Sequence, residues 1–306
     1  MKRLVTRSDF DGLACAMMLK ELGMIDSIKF VHPKDVQDGI IELSDNDITT
    51  NLPFDPRVSI AFDHHESELD RLKAIETGTK LIIDPDARSA ARVVYNYYGG
   101  KEKFPNISDE LMEAVDKGDS ADFSIEDILN PTGWTLLHFI MDARTGLGRF
   151  HDFRISNYDL MMELIDYCLQ HDIDEILELP DVKERTELYF AQDKLFKEQL
   201  ERITKIEGKV AVIDLRAEEI IYAGNRFMVY AMFPEAEISV HVAWGFKKQN
   251  TAVMIGKSII NKESNVDIGE LCLKYGGGGH ANAGTCQLDN DKVDAELPNI
   301  IAALNA

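Results

Sequence analysis

Val58-Ser59-Ile60-Ala61-Phe62-Asp63-His64-His65-Glu66 turns from apolar to polar in a single step. Val58 to Phe62 has the length and composition of a buried strand. Where a parallel strand ends, the backbone leaves the sheet, and open α/β sheets bind ligands in the crevice outside those carboxyl ends. An aspartate and two histidines emerging there are placed to hold a metal ion. The competing reading is a polar loop in which His64 and His65 cap local hydrogen bonds, so the rest of the chain must decide.

Three further stretches bear on the choice. Arg7-Ser8-Asp9-Phe10-Asp11-Gly12 follows the strand-like Leu4-Val5. Asp9 and Asp11 are two apart, so an extended loop turns both carboxylates to one side, and Gly12 permits a sharp entry into a helix from Leu13 to Leu22. Carboxylates with nearby imidazole suit Mn²⁺ or Mg²⁺, although Asp-x-Asp-Gly alone is equally a turn or cap. Asp116-Lys117-Gly118-Asp119-Ser120-Ala121-Asp122-Phe123 follows a helix capped by Ser108, and is either a further source of carboxylates or a solvated helix end. Tyr275-Gly276-Gly277-Gly278-Gly279-His280 lacks four successive Cβ atoms, so its N–H groups can approach an anion, with His280 as an added donor. A surface turn is the alternative.

The first two hundred residues alternate strand-like and helix-like segments, which predicts a parallel sheet flanked by helices. Strands are expected at Ser27–Val31, Asp47–Leu52 and Leu81–Ile83, and a helix at Ser89–Tyr98, closed by Gly99-Gly100. Tyr158 to Ile203 is mostly helical in pattern. After Gly208 the texture becomes β-rich, with runs at 209–215, 238–244 and 251–259 before a helix at 267–274. The expected organisation is an α/β domain over 1–181, a helical connector over 182–206, and a smaller mixed-sheet α/β domain over 207–306.

The 306 residues carry a formal net charge of -21, which opposes binding to long duplex nucleic acid and favours a short anionic ligand drawn in by local cations. Cys15, Cys168, Cys272 and Cys286 lack zinc-type spacing and read as reduced packing residues. No apolar run is long enough to span a bilayer, and the N-terminus becomes polar too early for a signal peptide, so a cytoplasmic protein is expected. Arg144, Arg149 and Arg154, around Thr145-Gly146-Leu147-Gly148, read equally as a substrate-recognition loop and as a turn with solvated arginines.

Asp9-x-Asp11-Gly12, Asp63-His64-His65, the acidic segment at 116–122 and the late Gly-Gly-Gly-His resemble, in order and separation, the DHH phosphoesterase superfamily with its C-terminal DHHA1 domain. The resemblance covers nearly the whole chain. Ser89 and the Gly284–Gln287 segment are most similar to the exopolyphosphatase-related group. The resemblance implies that Asp9 ligates one metal while Asp11, His64 and Asp119 ligate another, with Asp116 a rival to Asp119. It makes Asp63 the residue that orients the histidines. His65 and His280 then contact substrate phosphate, and Gly277, Gly278 and Gly279 cradle it.

Departures from the family pattern sharpen these expectations. Arg7 stands where many relatives have histidine, and Asn51 where they have a metal-bridging aspartate; arginine cannot ligate a cation, and an amide is a weaker ligand than a carboxylate. One tight Mn²⁺ (or Mg²⁺) site and a weaker second are therefore expected, with Arg7 as a fixed charge. Asp47 replaces the missing bridge only if the strand register is shifted. Ser258-Ile259-Ile260-Asn261 also lacks the arginine that oligonucleotide-cleaving relatives carry. The implied function is divalent-metal-dependent hydrolysis of a short nucleotide phosphoester such as an oligoribonucleotide. The alternatives are an exopolyphosphatase acting on short polyphosphate and a catalytically weakened nucleotide-binding regulatory module. A homodimer is compatible with the sequence.

Overall fold

The computed structural model describes residues 2–65 and 80–306. Glu66, the last residue of the opening motif, lies outside the described residues. The chain divides into two compact units, one of 1–122 with 132–187 and the other of 123–131 with 188–306.

In the first unit, Lys2–Arg7 (β1), Ile25–Val31 (β2), Asp47–Thr50 (β3), Ile60–Asp63 (β4) and Lys80–Ile83 (β5) form a sheet in the order β2-β1-β3-β4-β5. Every pair in it is parallel. Strand β3 is wholly buried despite its two threonines. Thr50 Oγ1 donates to Thr6 Oγ1 at 2.7 Å, and Thr6 Oγ1 donates to Thr50 O at 3.2 Å, so these hydroxyls are satisfied inside the sheet.

Helix α1, Phe10–Glu21, is buried continuously from Phe10 to Leu19, which accounts for its apolar character on all sides. Helix α2 spans Pro33–Gln37, α3 Ala90–Tyr98 and α4 Asp109–Asp119. Ser89 caps α3 by accepting from Arg92 N–H, and Ser108 caps α4 by accepting from Leu111 N–H, each at 3.0 Å. Asp109 and Glu110 fill the first turn of α4, where the helix dipole favours negative charge. Next come α5, Ile125–Leu129, α6, Gly133–Met141, α7, Asn157–Gln170, and α8, Ile173–Leu177. The division between the units at 187/188 falls inside α9, Pro180–Ile203.

In the second unit, Thr204–Glu207 (β6), Val210–Asp214 (β7), Ile238–Trp244 (β8), Thr251–Lys257 (β9), Gly278–His280 (β10) and Ala283–Leu288 (β11) make a sheet in the order β10-β11-β9-β8-β7-β6. The β7–β8 pair is parallel and the others antiparallel, giving the mixed sheet. Helix α10 is Met228–Met232, α11 Ile268–Lys274 and α12 Val293–Leu304. Ile238, Val240 and Val242, alternate residues of β8, share one core with Val253, Ile268, Leu271 and Ile300. Each such side chain contributes about 1.5–3 kcal/mol on burial.

One expectation changes in detail and one alternative falls away. The glycine run, which reads as an anion-binding stretch or a surface turn, has Gly278 to His280 paired with β11 as an edge strand, because glycine backbones can lie unusually close to their neighbours. Asp47 begins β3 opposite Arg3, whereas Asn51 follows the far end of that strand. The register therefore leaves Asn51, not Asp47, beside the motif residues. No helix among the described residues is long and apolar enough to cross a membrane.

Candidate active site

Sheet register brings the motifs together. Thr6 pairs with Thr50 and Thr50 with Phe62, so the next residues, Arg7, Asn51 and Asp63, sit level at the carboxyl ends of three adjacent strands. Gly12 lets α1 start close against β1. A Cβ there would lie 2.1 Å from Arg7 O, a contact no side chain can make. Asp9 caps this helix, its Oδ1 accepting from Gly12 N–H at 3.0 Å, while its Oδ2 meets Arg7 Nε at 2.9 Å.

Asp11 points inward. One of its oxygens accepts from Ala91 N–H at the start of α3, and the other from Asn51 Nδ2, both at 2.7 Å. Asn51 itself adopts φ of 53°, a left-handed conformation uncommon outside glycine. Its N–H donates to Phe62 O at 3.1 Å. The strand end is thus bent so that the amide faces the carboxylate.

Asp63 Oδ1 accepts from the N–H groups of His64 and His65 and from His65 Nδ1, at 2.7, 2.9 and 2.7 Å. Asp63, His64 and His65 offer ligand atoms within 4.8 Å of one another. The three donors on Asp63 Oδ1 give that carboxylate an orienting geometry, and His65 keeps Nε2 turned away from it. His64 Nδ1 lies 3.2 Å from Ala87 O, and its Nε2 lies 2.9 Å from Asp119 Oδ2. Asp116, three residues before Asp119, instead takes Ser89 Oγ on one oxygen and Arg92 Nε and Nη2 on the other. The structure brings Asp119 to His64 and gives Asp116 to a partly buried ion pair with Arg92.

The electrostatics of this cluster are unbalanced. Burial and the charges of Asp119 and Asp9 hold the Asp11 carboxyl well above its ordinary range. Burial, together with Asp119, also raises Asp9, against the pull of Arg7. Burial alone would lower His64, but contact with Asp119 and the charges of Asp11 and Asp63 outweigh it and push the imidazole up to about 9. Asp119 is lowered: burial opposes this, but His64 and Arg7 prevail. His64 Nε2 and Asn51 Oδ1 are buried polar atoms without a well-aligned hydrogen bond among the described residues. Crowded carboxylates, an imidazole nitrogen in contact with one of them and the unpaired amide oxygen of Asn51 make a set that suits a divalent cation.

In the second unit, the glycines serve different ends. A Cβ on Gly277 would lie 2.1 Å from Thr285 O and one on Gly279 2.3 Å from Ala283 O, so tight pairing with β11 demands both glycines. Gly278 has nothing within 4 Å of such an atom. His280 ends this edge strand with its side chain exposed. Trp134 is buried and stacks on Phe10 with ring centroids 5.9 Å apart, a packing role.

No protein-family model matches the chain, and none of the curated proteins does. Solved structures do. The pGpG-specific phosphodiesterase PggH from Vibrio cholerae is 53% identical, with a TM-score of 0.87 over 100% of this chain and 99% of that one. The chain belongs to the DHH phosphoesterase superfamily. An exopolyphosphatase-related protein from Bacteroides fragilis shares the fold at 14% identity and TM-score 0.54, over 99% of this chain and 91% of its own. RecJ from Thermus thermophilus, solved in complex with Mn²⁺, does so at 14% identity and TM-score 0.51, over 99% of this chain and 51% of its own. This DHH protein is a phosphohydrolase.

Sequence reasoning named Asn51 as a site position but missed the hydrogen bonds that shape the site. Asn51 and the Ala91 N–H on Asp11, and Ser89 with Arg92 on Asp116, join segments far apart in the chain. Asp142, whose Oδ1 accepts from Arg144 N–H and Nε, was also missed. An aspartate at the end of a helical pattern, two residues before an arginine, was the available signal for a side-chain-stabilised turn.

Proposed function

We propose that this protein hydrolyses a short nucleotide phosphoester, a 5′-phosphorylated dinucleotide of the pGpG type, with Mn²⁺ or Mg²⁺. The observation that carries this reading is identity of 53% to a pGpG-specific phosphodiesterase across essentially both chains. The buried acid and histidine cluster supports it chemically. Asp11, His64 and Asp119 would hold the cation, with Asp9 at a second, weaker position. When bound, a divalent cation neutralises charge on phosphoryl oxygens and acidifies water.

The chain's own residues have distinct tasks. Asp63 fixes His65 through Nδ1, which leaves Nε2 to meet a phosphate oxygen. Arg7 places a guanidinium against Asp9, supplying fixed positive charge where many DHH relatives carry a histidine. Asn51, a neutral donor to Asp11, adds no bridging charge. One tightly held ion per chain follows from these two substitutions. His280 and the Gly277–Gly279 backbone are substrate-phosphate contacts in this reading.

Purified protein with Mn²⁺, assayed on pGpG, other short oligoribonucleotides and short polyphosphate, tests the reading. Dinucleotide cleavage to nucleoside monophosphate is expected, abolished by chelation and by His64→Ala, with metal analysis giving about one tight ion. Orthophosphate release from polyphosphate without dinucleotide cleavage would replace it with the exopolyphosphatase reading. Wild-type turnover in His64→Ala would refute the cation assignment.

A further inference from the structure

Helix α6 ends beside the acid cluster in a turn that holds an arginine. His138, on this helix, packs its ring 6.1 Å from that of Phe10, and a Cβ on Gly118 would come within 2.5 Å of His138 Nδ1. Phe10 stands between Asp9 and Asp11, and Gly118 directly precedes Asp119. The helix is therefore seated on both segments that supply the cluster's carboxylates. One turn after His138, Asp142 N–H donates to His138 O at 3.0 Å.

Asp142 is 8% exposed, and its Oδ1 accepts from Arg144 N–H at 2.9 Å and from Arg144 Nε at 2.7 Å. A buried carboxylate so fixes one edge of the guanidinium. The Arg144 side chain is half-exposed, and its two Nη atoms have no partner among the described residues. Arg144 is close enough for its charge to act on Asp9, and Asp142 acts likewise on Arg7.

Neighbouring arginines are differently engaged. Arg92 is committed to Asp116, Arg88 to Ser120 and Asp122, and Arg7 to Asp9. On a chain of net charge -21, an anionic substrate needs a local cation with donors to spare. A guanidinium anchored through Nε presents its remaining N–H groups as a planar fork that matches two phosphate oxygens.

We infer that Arg144, held by Asp142, binds a phosphate of the substrate through its Nη groups and is a substrate-recognition residue of this phosphoesterase. The inference rests on the dinucleotide reading and extends it to a residue outside the four motifs. The ligand is a phosphate oxyanion, either the scissile group or the terminal 5′-phosphate one nucleotide away.

The experiment is steady-state kinetics of the full chain with Mn²⁺ on pGpG and on GpG, which lacks the terminal phosphate. Wild type is compared with Arg144→Ala and Arg144→Lys, and melting temperatures are taken alongside. Arg144→Ala should raise the KM for pGpG about ten- to a hundredfold, the range for losing a charge-assisted bidentate pair, with kcat changed less than about threefold. Arg144→Lys should recover only part of the loss. A KM increase confined to pGpG assigns the terminal phosphate, and an equal increase on GpG assigns the scissile one. An unchanged KM on both substrates overturns the inference, as does a lowered melting temperature without a KM change, which would make Arg144 a staple of its turn. Arg144→Lys, which keeps charge and stem, carries the same comparison if the alanine variant fails to fold. Failure of wild type to cleave either dinucleotide removes the functional reading as well, whereas cleavage with unaltered KM removes only Arg144.

Discussion

Asp47 and Asp11 lie at opposite ends of the parallel sheet, at 1% and 2% exposure, and their surroundings treat negative charge in opposite ways. Asp47 accepts two bonds from Arg3 and two from Ser44, the shortest at 2.7 Å. Burial opposes its ionisation, but these donors prevail and hold its carboxyl below the ordinary value. Asp11 has two neutral donors and two acidic neighbours, Asp119 and Asp9, and is held well above that value. One carboxylate is compensated by the fold. The other is left uncompensated at the strand ends, the arrangement expected where a cation or reacting group completes the charge balance.

The largest expected effect tests that contrast directly. Asp11→Asn should lower turnover by about a thousandfold or more, several kcal/mol of lost charge stabilisation, while the chelated protein melts at the same temperature or higher. Asp47→Asn should do the reverse, costing about 1–3 kcal/mol of stability with activity per folded molecule retained. Kinetics paired with melting curves in chelator distinguish them. Equal destabilisation by both changes, with Asp11→Asn still active, would erase the distinction between the two ends.

A smaller effect lies in the pH dependence of the chelated protein. Asp47, with its carboxyl lowered, contributes stability that is present above the ordinary pKa of 3.8 and lost as pH falls through the folded value. Asp11, raised, has the opposite sign, and its ionisation as pH rises through the folded value costs stability. His64, raised from 6.5 to about 9, contributes fully below 6.5 and loses its contribution as pH climbs to about 9. Chelated wild type should therefore lose melting temperature between pH 6.5 and 9, and His64→Ala should flatten that slope. A slope unchanged in His64→Ala would place the titrating group elsewhere.

The same two ends show what the amino-acid sequence makes legible. The run from Val58 to Phe62 reads as a strand from its own residues, and a parallel sheet follows from its alternation with helical segments. Strand-end geometry then puts Asp9, Asp11, Asp63 and His64 along one edge, because every strand of a parallel sheet ends on the same side, and the order β1-β3-β4 brings them close. Their compensation is not local. Nothing near Asp116 in the chain announces Arg92 and Ser89, and nothing near Asp11 announces Asn51, whose role depends on a left-handed backbone at the end of β3. The second unit was less legible where its strands are short or small-residue-rich. Gly278–His280 has no side-chain alternation to read, and the grouping of 123–131 with the later chain has no local signature.

The smallest expected effect carries the comparison into the second unit, where adjacent glycines repeat it. Gly277 is required by the fold, since an added Cβ would lie 2.1 Å from Thr285 O and 2.6 Å from Cys286 Cα. Backbone on both sides leaves no flexible neighbour to yield, so Gly277→Ala should cost about 1–3 kcal/mol, the range for overpacking, and lower the melting temperature. Gly278 faces open space, so Gly278→Ala should melt within a degree or two of wild type. If substrate phosphate approaches this strand closely, the added methyl occupies ground the ligand needs, and KM should rise about tenfold with kcat little changed, as expected for loss of uniform binding. An unaltered KM in a normally folded Gly278→Ala would mean that the glycines serve only the pairing of β10 with β11.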